Sequence, residues 1–139
     1  MLHPALGPLV RVEIRGASGP SLTGLAVIDT GASMSAIDKT AAATLALPTF
    51  GAASWYAVTG GDRPIAPLRR AQIRLGDVPV FWELDLIEVP DLNEAVAGYR
   101  ALILLGWDFL QDCVVGLDGP SGTWTLQLPP VPQAQRRRR

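Results

Sequence analysis

The chain has 139 residues, 48% of them hydrophobic, which fits one domain around one core and excludes a disordered chain. No apolar run approaches the roughly 18–20 residues that span a bilayer, and the start, "MLHPALGPLV", lacks a basic segment and a small-residue cleavage site, so no signal peptide is expected. The formal net charge of −1 hides an asymmetry: "RRRR" at 136–139 holds four of the twelve basic residues, leaving eight basic against thirteen acidic elsewhere. A body this acidic argues against nucleic acid as the main partner, and the arginine run reads as a solvated tail behind "LPPVPQAQ". The single cysteine, Cys113, excludes an internal disulfide and fits a reducing compartment, so a cytoplasmic location is expected.

In chain order, "LVRVEIRG" sets Val10, Val12 and Ile14 against Arg11, Glu13 and Arg15, the alternation of a half-buried strand. "ASGPS" is a turn, and "LTGLAVIDT" is a more continuously apolar strand. "SAIDKTAAATLAL", Ser35 to Leu47, is Ala-rich and Gly-free, which predicts a short helix ended by Pro48, with Asp38 or Ser35 as candidate caps. "WYAVTGGDRPIAP" has a Gly-Gly pair between extended flanks and predicts a hairpin, although Pro64 and Pro67 weaken its second arm. "RAQIRLGDVPVFWELDLIEV" is a strand, a Gly-Asp turn and a longer strand. In the latter Val78, Val80, Trp82, Leu84 and Leu86 share one face, with Glu83 and Asp85 on the other. "PDLNEAVAGYRA" is a loop. "LILLGWDFLQD" is a buried strand broken at Gly106 and continued by one helical turn, and "CVVGLDGPSGTWTLQL" is a closing hairpin. The sum is a mainly β single domain with one or two short helices.

Chemistry concentrates at "LAVIDTGASMSAI". Ala26, Val27 and Ile28 deliver Asp29 from inside the fold to the end of a strand. Gly31 follows, a residue that permits unusual backbone angles and close approach, and whose amide can point at a carboxylate. Asp-Thr-Gly by itself is weak, arising by chance in roughly a few per cent of chains this long. Its partner signal is "ILLGWDFL", about 75 residues on.

With "AVIDTGAS", "SAI" and "ILLGWDFL" in that order, the chain resembles the retropepsin-like aspartic proteases. Its "LLG-x-D-x-L" form is similar to the protease domain of the DNA-damage-inducible shuttle proteins and to bacterial single-domain relatives. The resemblance covers residues 9–128, leaving 1–8 as a lead-in and 129–139 as a flexible Pro/Arg-rich tail. It implies a closed, barrel-like fold active as a homodimer, with Asp29 of each copy contributing to one catalytic pair. It implies that Thr30 bonds across the dimer axis and that Gly31 donates its amide to the carboxylate. Ala32, Leu105 and Gly106 then support the active-site loop, and Val58, Thr59, Gly60 and Gly61 form a flap over a peptide substrate. No metal or organic cofactor is implied. Two positions depart from the family pattern. Trp107 stands where retroviral members often have an arginine, so an ion pair supporting the dimer is missing there. Ala32 lacks the hydroxyl that some relatives place beside the acid, which predicts an activity optimum near about pH 5–6.

Other candidates read as structural. Asp108 caps or braces the short helix, Cys113 is a small buried hydrophobe, and His3, a lone histidine, makes no metal site. Trp82 and Trp124 read as packing residues, and Trp55 and Tyr56 are candidate pocket walls at the base of the flap. The alternative to an endopeptidase is a catalytically silent peptide-binding or dimerisation module of the same fold.

Overall fold

The computed structural model describes residues 2–3, 7–16, 19–54, 65–90, 92 and 101–130. Ten strands and two short helices are placed among them. They are β1 (Leu2–His3), β2 (Gly7–Arg15), β3 (Ser21–Ile28), β4 (Ala36–Asp38), α1 (Lys39–Thr44), β5 (Thr49–Ser54) and β6 (Ile65–Leu75). After these come β7 (Trp82–Val89), β8 (Ala101–Leu105), α2 (Trp107–Leu110), β9 (Val114–Asp118) and β10 (Thr123–Gln127). Eight strands form one sheet in the order β1-β2-β3-β8-β4-β7-β6-β5, and an extra β2–β6 pairing closes β2, β3, β8, β4, β7 and β6 into a six-stranded barrel. Closure removes the free edges of those six strands. β5 stays outside the ring as an edge strand, and β9 and β10 form a separate two-stranded sheet.

The alternation in "LVRVEIRG" becomes β2, where Val12 and Ile14 are fully buried. β2 runs antiparallel to β3 from Leu9↔Val27 to Arg15↔Ser21. β3 begins exposed and ends buried at Ala26, Val27 and Ile28, because only its second half lies alongside β8, in parallel register from Ala26↔Ile103 to Ile28↔Leu105. The barrel interior is filled by Val12, Ile14, Ile37, Ile73, Leu86, Ile103 and Leu105, each inaccessible to solvent. Burying each of these side chains stabilises the fold by about 1.5–3 kcal/mol before the entropy of ordering is set against it. Trp82 packs edge-on against Phe109, with ring centroids 6.2 Å apart and planes at 80°.

Two predicted boundaries shift. The helix expected over Ser35 to Leu47 is confined to Lys39–Thr44, and Ala36–Asp38 is instead a buried strand, β4. β4 fills the gap between β8 (antiparallel, Ala36↔Leu104) and β7 (parallel, Ala36↔Ile87). Backbone groups on both neighbours then gain partners, and that gain overrides a weak helical preference. Asp38, not Ser35, is the cap: its carboxylate accepts from the amides of Thr40 at 3.1 Å and Ala41 at 3.3 Å. The long strand expected from Val78 starts only at Trp82, since Pro79 has no amide to donate and Val80 bonds back to Val78. Its faces also differ from the expectation: Trp82 and Leu86 are buried as read, but Ile87 and Val89 are buried too, in a second cluster with Ala36 and Ala66.

Most of the predicted hairpin, residues 55–64, lies outside the described residues. β5 and β6 pair antiparallel from Thr49↔Arg69 to Ser54↔Ile65, with Pro67 inside β6 opposite Ala52. The arginines of β6 are paired: Arg69 with Glu88, Arg70 with Asp85 and Glu83, and Arg74 with Glu13. Among the described residues no helix is long and apolar enough to cross a membrane.

Candidate active site

Asp29 leaves β3 one residue past its last paired position, Ile28, and its amide still donates to the carbonyl of Leu105 at 3.0 Å. The fully buried Leu105 therefore anchors the start of the acid loop. The loop then turns tightly, with the amide of Ala32 reaching the carbonyl of Asp29 at 3.2 Å. Inside this turn the amide of Gly31 donates to Asp29 Oδ1 at 2.9 Å. An N–H aimed at a carboxylate oxygen fixes that side chain's rotamer. Asp29 is half-buried, while Thr30 and Gly31 are exposed, so one acid faces outward from a rigid base.

Gly31 takes no unusual backbone angle in this turn. Its backbone lies outside the left-handed region, and a Cβ there would meet only Asp29 Oδ1, at 3.3 Å. The close backbone approach occurs at Gly106. A Cβ there would lie 2.6 Å from the carbonyl oxygen of Met34 and 2.8 Å from that of Ala32. The acid loop thus passes directly over the turn between β8 and α2.

That crossing is laced together. Trp107 donates its amide to Ala32 O at 2.7 Å, and Asp108 donates its own to Ser33 O at 3.2 Å. Ser35, inaccessible to solvent, accepts from the amide of Gly106 at 3.0 Å and donates its hydroxyl to Asp108 Oδ1 at 2.6 Å. Its amide lies 3.0 Å from both Asp108 oxygens, and the amide of Phe109 adds a further bond to Oδ1 at 2.9 Å. Asp108 was expected to brace its helix. It does so through Phe109, and it also holds the acid loop.

Of the predicted site residues, Asp29, Thr30, Gly31, Ala32, Leu105 and Gly106 come together in this one constellation. Val58, Thr59, Gly60 and Gly61 lie outside the described residues, as do Trp55 and Tyr56. Sequence reasoning missed Ser35 as a site residue. The available signal was a hydroxyl residue directly before the apolar pair of "SAID", where burial demands a partner for every polar atom. Trp107 keeps its side chain largely in solvent, at 55% exposure, directly beside the acid loop. Cys113 is half-buried, with Sγ 3.6 Å from the carbonyl of Phe109. Burial, and secondarily the charge of Asp112, push its thiol up to about 11. No group of three metal-ligating side chains occurs among the described residues.

The family model described as aspartyl protease matches residues 10–109. Among solved structures, the chain is similar to the retroviral protease-like domain of Ddi1 from Leishmania major. The two share 15% identity over 90% of this chain and 95% of that one, with a TM-score of 0.46. No curated protein sequence matches the chain.

Proposed function

Because the chain belongs to the aspartyl protease family, we propose that it is an aspartic endopeptidase assembled from two copies of itself. The observation that carries this reading is the Asp29 carboxylate, presented at the end of a buried strand and held at 2.9 Å by the amide of Gly31. The loop supplies one such acid per chain, and the chemistry uses two. Across a two-fold axis the two Asp29 carboxylates meet and hold one proton between them, because like charges about 3 Å apart do not both ionise.

The ionised member takes a proton from a water held between the pair, and the water oxygen bonds to the carbonyl carbon of the scissile peptide. The protonated member gives its proton to the carbonyl oxygen, so the intermediate is a neutral gem-diol. On collapse, the carbon–nitrogen bond breaks as the nitrogen takes the proton of the protonated member and a gem-diol hydroxyl returns its proton to the ionised member, so an acid and an amine leave and the pair again holds one proton. Thr30, exposed at the turn, bonds to its counterpart through the hydroxyl and fixes the two loops to each other. Val58, Thr59, Gly60 and Gly61, carried between the β5 and β6 arms, close over an extended peptide that binds as an added strand. Residues 9–128 carry this machinery, and the reaction needs neither metal nor organic cofactor.

The test is cleavage of a peptide library at about pH 5–6 by wild type and by Asp29→Asn, with a statine-type transition-state mimic as inhibitor. Wild type is expected to cleave and to be inhibited, and the variant to be folded and inactive. Equal cleavage by both removes Asp29 from the chemistry. No cleavage by either, with the mimic still bound, identifies a silent peptide-binding module.

A further inference from the structure

We propose that Ser35 and Asp108 are positioning residues for the Asp29 carboxylate, a side-chain strap that fixes the outgoing limb of the acid loop on the turn between β8 and α2. The proposal rests on the reading of Asp29 as the reacting acid and adds what sets its position. On its incoming side Asp29 follows the paired end of β3, and its own amide donates to Leu105 O at 3.0 Å. Its outgoing side, residues 32–35, makes the remaining attachments. Three are backbone bonds, from Trp107 to Ala32 O, from Asp108 to Ser33 O and from Ile87 to Ser35 O. The others converge on two side chains. Ser35 Oγ links Gly106 to Asp108, and the Asp108 carboxylate collects the amide and hydroxyl of Ser35 and the amide of Phe109.

The distribution of these bonds separates a strap from a helix cap. A cap serves only its own helix, and here one of the donors, Phe109, belongs to α2. The other donors come from a residue 73 positions earlier, six past the acid. Ser35 is itself anchored: its carbonyl accepts from Ile87 at 3.1 Å, which fixes the strap to β7 as well. Gly106 makes the fit tight, since the loop carbonyls lie where any Cβ would sit. Loosening the strap therefore frees residues 32–35 to lift from the turn, and the Gly31 amide, which orients the carboxylate, moves with them. A misplacement of about 1 Å at a reacting group costs up to roughly hundredfold in rate.

The experiment compares Asp108→Ala, Asp108→Asn, Ser35→Ala and the Ser35→Ala/Asp108→Ala double variant with wild type. The readouts are kcat and KM, the fraction of competent sites titrated by a statine-type mimic, and amide hydrogen exchange. Asp108→Asn keeps Oδ1 as an acceptor and serves as the conservative control. Asp108→Ala is expected to lower kcat per titrated site by roughly tenfold to hundredfold with KM within about twofold, and Asp108→Asn to recover most of the loss. The double variant is expected to be no worse than the weaker single variant, since both remove the same strap. Exchange at Gly31, Ala32 and Gly106 is expected to quicken in Asp108→Ala while β9 and β10 stay unchanged. An unchanged kcat per site, or unchanged exchange at Gly31 and Ala32, overturns the proposal. If wild type cleaves nothing, the protease reading fails by itself, and the exchange comparison still decides whether the strap orders the loop.

Discussion

Two glycines frame the acid, and only one of them is required by what lies beside it. At Gly31 the neighbour is the Asp29 carboxylate itself, 3.3 Å from where a Cβ would sit, a distance a small side-chain movement accommodates. At Gly106 the neighbours are main-chain atoms of Met34 and Ala32, at 2.6 to 2.8 Å, which cannot yield without lifting the acid loop. Gly106→Ala is therefore expected to cost roughly 1–3 kcal/mol, read as a lower urea midpoint at unchanged slope, and to reduce cleavage beyond the loss of folded protein. A second residue-scale expectation concerns Cys113. Burial, and then Asp112, raise its thiol to about 11, above its value in the unfolded chain. The unfolded state thus releases the proton first, and the stability this group contributes is full below the unfolded thiol's range and lost as pH rises towards 11. At pH 8 the folded thiolate fraction is lower than in the unfolded chain by about hundredfold, so iodoacetamide should label Cys113 quickly only after denaturation. Fast labelling of the native protein would contradict the burial.

At the level of elements, α1 shows how a short helix is set by its ends. Six residues are too few to be stable alone. Asp38 supplies two of the missing partners at the N-terminus, while Ala41 and Ala42 pack into the core. Asp38→Ala is expected to lower stability by about 1 kcal/mol, within a range of about 0.5–2, measured by thermal or urea unfolding, with Asp38→Asn much milder. The same stretch shows what was legible beforehand. Local signals worked where local chemistry decides: the alternation of β2, the "DGPSG" turn between β9 and β10, the break at Gly106 and the cap at Asp38. They failed at Ala36–Asp38, because that strand exists to fill a slot between β8 and β7, whose sequences lie far along the chain. They failed also at the far side of β7, where Ile87 and Val89 are covered by a second cluster that one-sided alternation does not foresee. The acid loop was readable from "IDTGA" and "LLG" as two separate signals. Their junction through Ser35 and Asp108 was not, since 73 residues separate the partners and neither forms a recognisable pattern with the other.

At the scale of the whole molecule, the proposed chemistry makes activity a property of pairs of chains, and that has a quantitative consequence. The barrel leaves its one held acid on a surface where Thr30 and Gly31 are exposed and Trp107 keeps 55% of its area in solvent beside them. A large aromatic side chain left more than half exposed gains by being covered, and the family resemblance puts it where retroviral members often have an arginine. If two such surfaces meet, mixing wild type with folded but inert Asp29→Asn chains redistributes a fixed amount of wild type into mixed pairs with one competent acid. With free exchange, activity should fall to about one half at one equivalent of variant and about one quarter at three, following random pairing. A single-chain enzyme would show no loss at any ratio, which makes the titration decisive. On the proposed pairing, Trp107→Ala should shift the concentration at which specific activity falls on dilution upward, while kcat at saturating protein stays near wild type, as expected of a ring that packs between two chains without touching the reacting atoms. Loss of kcat at every concentration would instead place Trp107 among the residues that shape the acid loop, through the bond its amide already makes to Ala32.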